Sequence, residues 1–540
     1  MRKSSRFNVR TVVLTRVVAI AALGTAPARA SSVLEYPDLG ATQLGRGGAW
    51  LASANDASAT FFNPAALPRL GNAASLSANI NMHHACFDRL KAASDTSTDT
   101  NGPAPGAYYP QVCVEGTPLP IPALGTSFRL TDTLVLGLAV VAPNGNPKEA
   151  WPEFVGSAPG PSRYLLTSQN NAIVFPTLGL GWKATEWLAV GAAFTSGIGL
   201  FEMVTTAMAQ NGNGYSEAND VQAKVTASTF FVPGGNFSVL ATPLRWLDVA
   251  AWLRVSAPIR ATGDIKTAAN YYTSAVRRGD FSKVDYGDSA LPNCGNPLGD
   301  PNACGTGGNV NVRLNLPLEA KVALRVFRAN PEARANDGVR DSLRDELYDL
   351  ELDLTYAQNS VIDTIEVRFP ANAAGLGTVI PPGLGGGAIP PNADQQKQFR
   401  DVFGVRIGGD YVLSPNTLSV RAGGFWESRA QSSQYQNIDF MGQARVGLAT
   451  GLTYRVPVGE RGLDLSLAYQ HLFVGDSIKD DPNAPGVAAL TGTACNGGTH
   501  VAGTTSCSTG QPAFRSNWPV NLGKITNSVD SLAIGALYRW

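Results

Sequence analysis

GRGGAWLASANDASATFFNPAALPRL, residues 45–70, is unlike anything downstream of it. It is rich in Gly and Ala, carries Trp50, Phe61 and Phe62, and shows no period-2 alternation. That texture suits a short helical or irregular element enclosed by something else. It ends in Asn63-Pro64-Ala65. Asn before Pro is biased away from the helical region, its amide can cap backbone groups, and Pro64 suits the first turn of a short helix. An Asn-Pro turn alone is common in globular proteins, so its meaning rests on what surrounds it. The stretch reads as a plug and the rest of the chain as a wall.

Upstream, residues 1–30 have the form of an export signal. Arg2, Lys3, Arg6 and Arg10 precede an apolar run that ends in Ala28-Arg29-Ala30. The expected division is a signal over 1–30, a plug over 31–72 and a barrel over 73–540. Removing the signal takes away six basic and no acidic residues, so the neutral chain becomes about −6. This disfavours a nucleic-acid partner. After the signal there is no apolar run of about eighteen residues, so no membrane-spanning helix is expected. Only a closed β-barrel then places the chain in a bilayer.

Downstream, apolar and polar residues alternate in segments of about nine or more, the periodicity of a membrane barrel. Over 350–356, Leu350, Leu352, Leu354 and Tyr356 share one face, and Glu351, Asp353 and Thr355 share the other. Over 403–413, Phe403, Val405, Ile407 and Tyr411 oppose Arg406 and Asp410. Similar alternation fills 463–470 and 531–540. Expected strands lie near 74–82, 122–130, 135–141, 172–182, 187–202, 230–242, 246–270, 309–326, 346–368, 403–412, 418–426, 445–454, 463–472 and 531–540. They make about fourteen, an even number, joined alternately by short turns and long loops. The fold class is therefore an all-β, antiparallel transmembrane barrel with a plug, its short turns in the periplasm. Trp182, Trp187, Trp246, Tyr411, Tyr454 and Trp540 stand near strand ends as an interfacial girdle.

The six cysteines fall as the local pairs Cys86 and Cys113, Cys294 and Cys304, and Cys495 and Cys507, each expected within one long loop. Fifteen connectivities are open, and nearest-neighbour bridging in an oxidising compartment is the simplest. No CxxC pair is present, so a metal site is not expected. Catalysis is not expected either. There are four histidines and no GxSxG elbow, and Gly475-Asp476-Ser477 is a triplet in a late loop. No cofactor is implied.

With the signal, plug, strands and aromatic end together, the chain resembles the FadL-like family of outer-membrane transporters for long-chain fatty acids and other hydrophobic compounds. The likeness spans most of the mature chain. It is most specific at Gly45-Arg46-Gly47-Gly48-Ala49, Asp56-Ala57, Asn63-Pro64-Ala65, Arg163-Tyr164, Leu314-Asn315-Leu316-Pro317, Arg421-Ala422-Gly423 and Tyr469-Gln470-His471. The resemblance implies a fourteen-stranded barrel closed by an N-terminal hatch in the bacterial outer membrane. It implies that the mature N-terminus reaches beside the ligand, with Val33, Leu34, Tyr36 and Leu39 as apolar contacts. Pro37 and Asp38 depart from that pattern. It further implies sideways release through a break in the third strand, here at Pro143, Asn144, Gly145 and Pro147, where two prolines cannot donate ladder hydrogen bonds. The expected partners are hydrophobic small molecules, outer-membrane lipid and, through Trp540, the barrel-assembly machinery, with the protein a monomer. An acidic ligand would favour an inward cation, for which Arg406 and Arg421 are the candidates. Against this transporter stand a passive porin for polar solutes and a surface adhesin or structural barrel.

Overall fold

The structure is a computed structural model that describes residues 38–93, 95, 101–118, 120–143, 148–207, 220–269, 271–272, 281–283, 310–333, 339–369, 378–379, 388–389, 394–440, 442–458, 462–482 and 520–540. The expected signal, Val33, Leu34, Tyr36, Asn144, Gly145, Pro147, Cys294, Cys304, Cys495 and Cys507 lie outside them. Among the described residues no helix is long and apolar enough to cross a membrane.

Fourteen antiparallel strands make the wall. The first seven are β1 Ala73–Arg89, β2 Pro120–Arg129, β3 Leu134–Val141, β4 Ser168–Lys183, β5 Leu188–Ala207, β6 Val221–Leu244 and β7 Leu247–Ser256 with its continuation Ile259–Ala269. The eighth and ninth are each in two pieces, β8 Val310–Leu314 and Glu319–Ala329, and β9 Glu346–Ala357 and Thr364–Arg368. The rest are β10 Val402–Ser414, β11 Leu418–Glu427, β12 Arg445–Val456, β13 Leu463–Lys479 and β14 Gly523–Arg539. Each pairs with its neighbours in sequence. The ring closes by β1 on β14 in unbroken register from Ala73–Arg539 to Arg89–Gly523. Closure pairs the first strand with the last, so the ring has no free terminal edge in lipid.

The alternation read from the sequence sets the two faces. Leu350, Leu352 and Leu354 are exposed on the outer wall, while Glu351, Asp353 and Thr355 are buried inside. Val405, Ile407, Leu465, Leu467 and Ile534 also face outward. Trp182, Trp187, Trp246, Tyr411, Tyr454 and Trp540 are all exposed at the end of the ring where the short turns lie.

Several expectations are corrected, among them that β6 begins at Val221 rather than near 230 and β13 runs to Lys479 rather than to about 472. β1 runs to Arg89 rather than to about residue 82, and β14 begins at Gly523 rather than near 531. Above the lipid band the alternation continues with its polarity reversed. His84, Cys86 and Asp88 point out, and Ala85, Phe87 and Arg89 are buried inside. A pattern sought as apolar-out therefore stops too early. For the same reason Cys86 is a strand residue and not a loop residue. It bonds Cys113, its partner in register on the short strand Val112–Cys113.

A basic residue at the middle of the lipid face tests the wall. Leu352→Arg should destabilise the barrel by about 2–4 kcal/mol. Reversible denaturant unfolding in lipid vesicles checks this, and wild-type stability would contradict an outward Leu352.

Candidate functional site

Residues 38–71 lie inside the ring. The helix α1 (Ala41–Gly45) packs on β12, β13 and β14, whereas α2 (Ala59–Phe62), the 3-10 turn Pro64–Ala66 and α3 (Leu67–Leu70) pack on β3, β4 and β5. The turn between these halves needs glycine. Gly47 and Gly48 have φ of 60° and 77°, and a Cβ on Gly47 would lie 2.5 Å from the Gly424 nitrogen. This backbone, which L side chains rarely adopt, thrusts Arg46 sideways into the wall. The Asn63-Pro64-Ala65 segment rests on bare backbone. A Cβ on Gly181 would meet the Pro64 carbonyl oxygen at 2.4 Å, and one on Gly191 would meet the Ala65 nitrogen at 2.3 Å. The Asn63 amide donates to the Leu51 carbonyl at 2.6 Å, tying the plug's two halves together.

Three carboxylates on the inner face of β9 hold the plug. The Arg46 guanidinium donates to Asp349 at 2.9 Å, to Glu351 at 3.2 Å and to Asp410 of β10. Glu351 also accepts from the Ala52 and Ser53 amides at 2.5 and 3.2 Å, and Asp353 accepts from Trp50 and Leu51 at 3.2 and 3.3 Å. Arg46 and Glu351 are almost fully buried. Charge buried to this degree is tolerated only where it is paired and hydrogen-bonded. The sequence places Glu351 and Asp353 on the inner face but gives them no partner. The available signal is the demand of a buried carboxylate for a cation, which Arg46 meets.

Arg406 and Arg421, expected to serve a ligand head group, face the hatch. Arg406 donates to Asp38 at 2.8 Å, to the Gly47 carbonyl at 3.2 Å and to Glu427 at 2.5 Å. Arg421 donates to Asp410 at 2.9 Å and to Thr453 at 2.5 Å. Both acceptors of Arg421 are wall residues, on β10 and β12, whereas Asp38 and the Gly47 carbonyl tie Arg406 to the seal. Asp38, the departure from the family pattern, is thus a built part of it, and its second oxygen accepts from Gln470 at 2.8 Å. Leu39 is buried in the apolar cluster that includes Trp50, Phe61 and Phe62. Gly475-Asp476-Ser477 lies at an irregularity of β13 rather than in a loop, with Asp476 paired to Lys524 at 2.8 Å. His83 pairs with Glu149 at 2.6 Å.

The lumen is divided lengthwise. One side carries Phe175, Trp252, Ile259, Ile265, Val310 and Leu314, continuous with Phe61 and Phe62 of the plug. Two cations border it. Arg254 lies 5.2 Å from the Phe61 ring and pairs with Glu319 at 2.8 Å, and half-buried Lys321 lies 5.3 Å from Trp252 and 5.9 Å from Phe62. The other side carries Asn79, Asn81, Gln470, Ser531, Arg445 and Glu427, all buried. The wall between β3 and β4 is interrupted beside the apolar side. The ladder runs from Leu134–Trp182 to Val141–Phe175 and resumes at Glu149–Gln169, with Pro143 in a buried turn. Among the described residues, 170–174 of β4 therefore have no partner on that side.

A floor closes the short-turn end. Asp341 caps α4 (Ser342–Asp345), accepting from the Leu343 amide at 3.2 Å, and receives Arg455 at 2.7 and 3.0 Å. The Arg340 amide donates to the hatch at the Arg69 carbonyl, 2.8 Å. Burial pushes the Asp341 carboxyl up, but the guanidiniums of Arg539 and Arg455 outweigh burial and hold it below the usual carboxylate range.

These features define an outer-membrane-type β-barrel stoppered by its own N-terminal segment. Its fold is the FadL-like one. No family model matches the chain, and no curated protein matches it. Solved structures do. A FadL homologue from Pseudomonas aeruginosa is 15% identical with a TM-score of 0.63, over 94% of this chain and 99% of that one. The toluene transporter TodX of P. putida is 12% identical with a TM-score of 0.52, over 93% and 99%. The monoaromatic hydrocarbon channel CymD is 12% identical with a TM-score of 0.51, over 93% and 98%. At these identities the likeness fixes the fold.

Arg46→Ala leaves its carboxylates buried without a cation, at a cost of about 3–5 kcal/mol. It should unseat the plug and raise steady conductance in planar bilayers well above wild type, and an unchanged current would remove Arg46 from the seal. The Asp341 pair works with the opposite sign to a histidine switch. Its stabilisation is complete above the unfolded value of about pH 3.9 and is lost as pH falls through the lower folded value. Protease nicking of the floor should therefore rise below about pH 4 in wild type, and Asp341→Asn should remove that step.

Proposed function

We propose that the protein sits in the bacterial outer membrane and admits apolar small molecules from outside through the apolar half of the lumen. Cargo is released sideways into the bilayer at the interruption after β3, around Pro143-Asn144-Gly145 and Pro147. The observation that carries the reading is a barrel whose core is stoppered yet keeps one continuous apolar wall. A polar-solute porin has no use for such a wall. Each buried CH₂ contributes about 0.8 kcal/mol, so a long hydrocarbon binds there without a charged anchor.

The finer reading is that long-chain fatty acids are among the cargo. For an acid, the cations that border the apolar side are Arg254 and Lys321, while Arg406 is engaged by Asp38 of the hatch and Arg421 by Asp410 of the wall. The mature N-terminus, with Val33, Leu34, Tyr36 and Leu39, would close the ligand space from below. Residues 1–30 would be removed on export and 31–72 would act as the hatch. Trp540 would present the last strand to the barrel-assembly machinery, and the working unit would be a monomer. The solved neighbours named as toluene transporters and a hydrocarbon channel support apolar cargo as a class.

Uptake of a fluorescent fatty acid and of toluene by cells with and without the protein tests this. Expression should raise uptake of at least one of them severalfold while steady bilayer conductance stays near zero. Equal uptake of both, or a large steady current, would reject the proposal. Within it, Lys321→Gln should raise the half-saturating concentration of the acid several-fold and leave toluene unchanged.

A further inference from the structure

The hatch meets the wall through two unlike seams. Along β2 to β6 the contact is dry and interlocked. Gly125, Gly137, Gly179, Gly181 and Gly191 lie so close beneath the plug that a Cβ at any of them would come within 3.0 Å of Ala57, Thr60, Pro64 or Ala65. Phe61 is anchored there by the Asn236 amide and, at 3.3 Å, by the Trp252 indole, and the Ala65 amide donates to the Ser238 hydroxyl at 2.8 Å.

Along β11 to β14 and β1 there is instead a cleft, lined by Thr42, Asn55, Ser77, Ser342, Ser466 and Arg539. Arg421 and Asp56 also line it. The Arg421 Nη1 and Arg539 Nε groups are buried and have no protein acceptor among the described residues. Such donors call for solvent, and a polar cleft gives it room. The cleft also leads to the clamp, because Arg421 shares Asp410 with Arg46.

We propose that the hatch pivots on the glycine-seated side, β2 to β6, and parts from the wall along the hydroxyl-lined side, β11 to β14 and β1. Separating the dry seam uncovers Phe61, Phe62, Leu67 and Leu70, whereas parting the polar seam uncovers only Ala41 and Leu44 and breaks hydrogen bonds, among them Gly40 to Asn79 at 2.8 Å and Arg539 to the Asn55 carbonyl at 3.0 Å, that entering water replaces. Water advancing past Arg421 reaches Asp410 and takes over the hydrogen bonds of Arg46 as they break. The glycines of β2 to β5 are the bearing and the hydroxyls are the parting line, while the equally close seat of Arg46 on Gly408 and Gly423 belongs to the clamp that must release. The inference deepens the proposed function, since it says how the stopper of that lumen moves.

Disulfide tethers across each seam test it in the full-length protein in its membrane. Ala41→Cys with Gly535→Cys bridges the polar seam, where a Cβ on Gly535 lies 3.5 Å from the Ala41 Cβ, inside disulfide range. Asn55→Cys with Ser342→Cys crosses the same cleft at a second point, where the two side chains hydrogen-bond at 3.2 Å. Ala65→Cys with Ser238→Cys tethers the dry seam. Single-cysteine variants control for folding and for reduction of Cys86–Cys113. Uptake of an apolar fluorophore should fall at least tenfold on oxidation of either polar-seam tether and return on reduction, while the dry-seam tether stays within twofold of wild type. The reverse pattern, or equal effects of both kinds of tether, would overturn the pivot. If the wild type takes up no apolar probe, the transport reading fails separately. The pivot is then read from brief openings of the purified protein in bilayers, which the polar tether alone should abolish and which, if unaffected, would overturn it.

Discussion

Backbone in hydrocarbon must satisfy its own hydrogen bonds, and that constraint organises the whole chain. It requires a ring with no free terminal edge, which the unbroken β1–β14 ladder achieves. Closure then creates a second requirement. A ring of fourteen strands encloses more space than inward side chains fill, and inward glycines on β2 to β5 and on β10 and β11 leave still more. The N-terminal segment fills the gap by laying backbone directly on backbone, so small residues in the wall and small residues in the plug have one cause.

What holds the plug is chosen differently from what shapes it. Its fit is steric, but its fastening is ionic. Arg46, Arg406 and Arg421 share Asp38, Asp349, Glu351, Asp410 and Glu427. A buried charge network is not an efficient source of stability, because desolvation consumes much of the Coulomb gain. It is demanding about geometry, since a displaced partner leaves an unpaired charge. The network therefore specifies one seated position for a segment whose own helices, α1 to α3, are each five residues or fewer and carry little intrinsic stability.

Much of this was legible beforehand because the membrane imposes a period that composition alone exposes. Fourteen strands, the outward faces of 350–356 and 403–411, and the aromatic ends follow from residues that alternate where lipid requires it. Legibility ended with the lipid. Beyond the hydrophobic band β1 and β14 keep their pleat while their outer residues turn polar, so His84, Cys86 and Asp530 looked like loop or loop edge. The clamp was half legible. Inner-face Glu351 and Asp353 showed a need, but the cation that meets it is some 300 positions away in sequence, and only the fold brings Arg46 to them. Arg406 and Arg421 were correctly read as inward. Asp38 of the plug meets Arg406, while Glu427, Asp410 and Thr453 come from wall strands, and no periodicity describes those pairings.

The division between ionic fastening and apolar wall has a consequence for any lumen that handles hydrocarbon. Were the stopper held by apolar packing alone, a greasy cargo would compete for the surfaces that seat it, and filling the site would loosen the seal at random. Hydrocarbon offers nothing to a guanidinium fixed between carboxylates, so occupancy of the apolar side leaves the clamp intact. Water does compete for those hydrogen bonds, and it reaches them from the side of the cleft. Placing Phe61 and Phe62 against the apolar wall and Arg46 against the charged one keeps the two chemistries apart within a plug of about thirty residues. The seal can then be tight toward lipid-like molecules and still remain reversible.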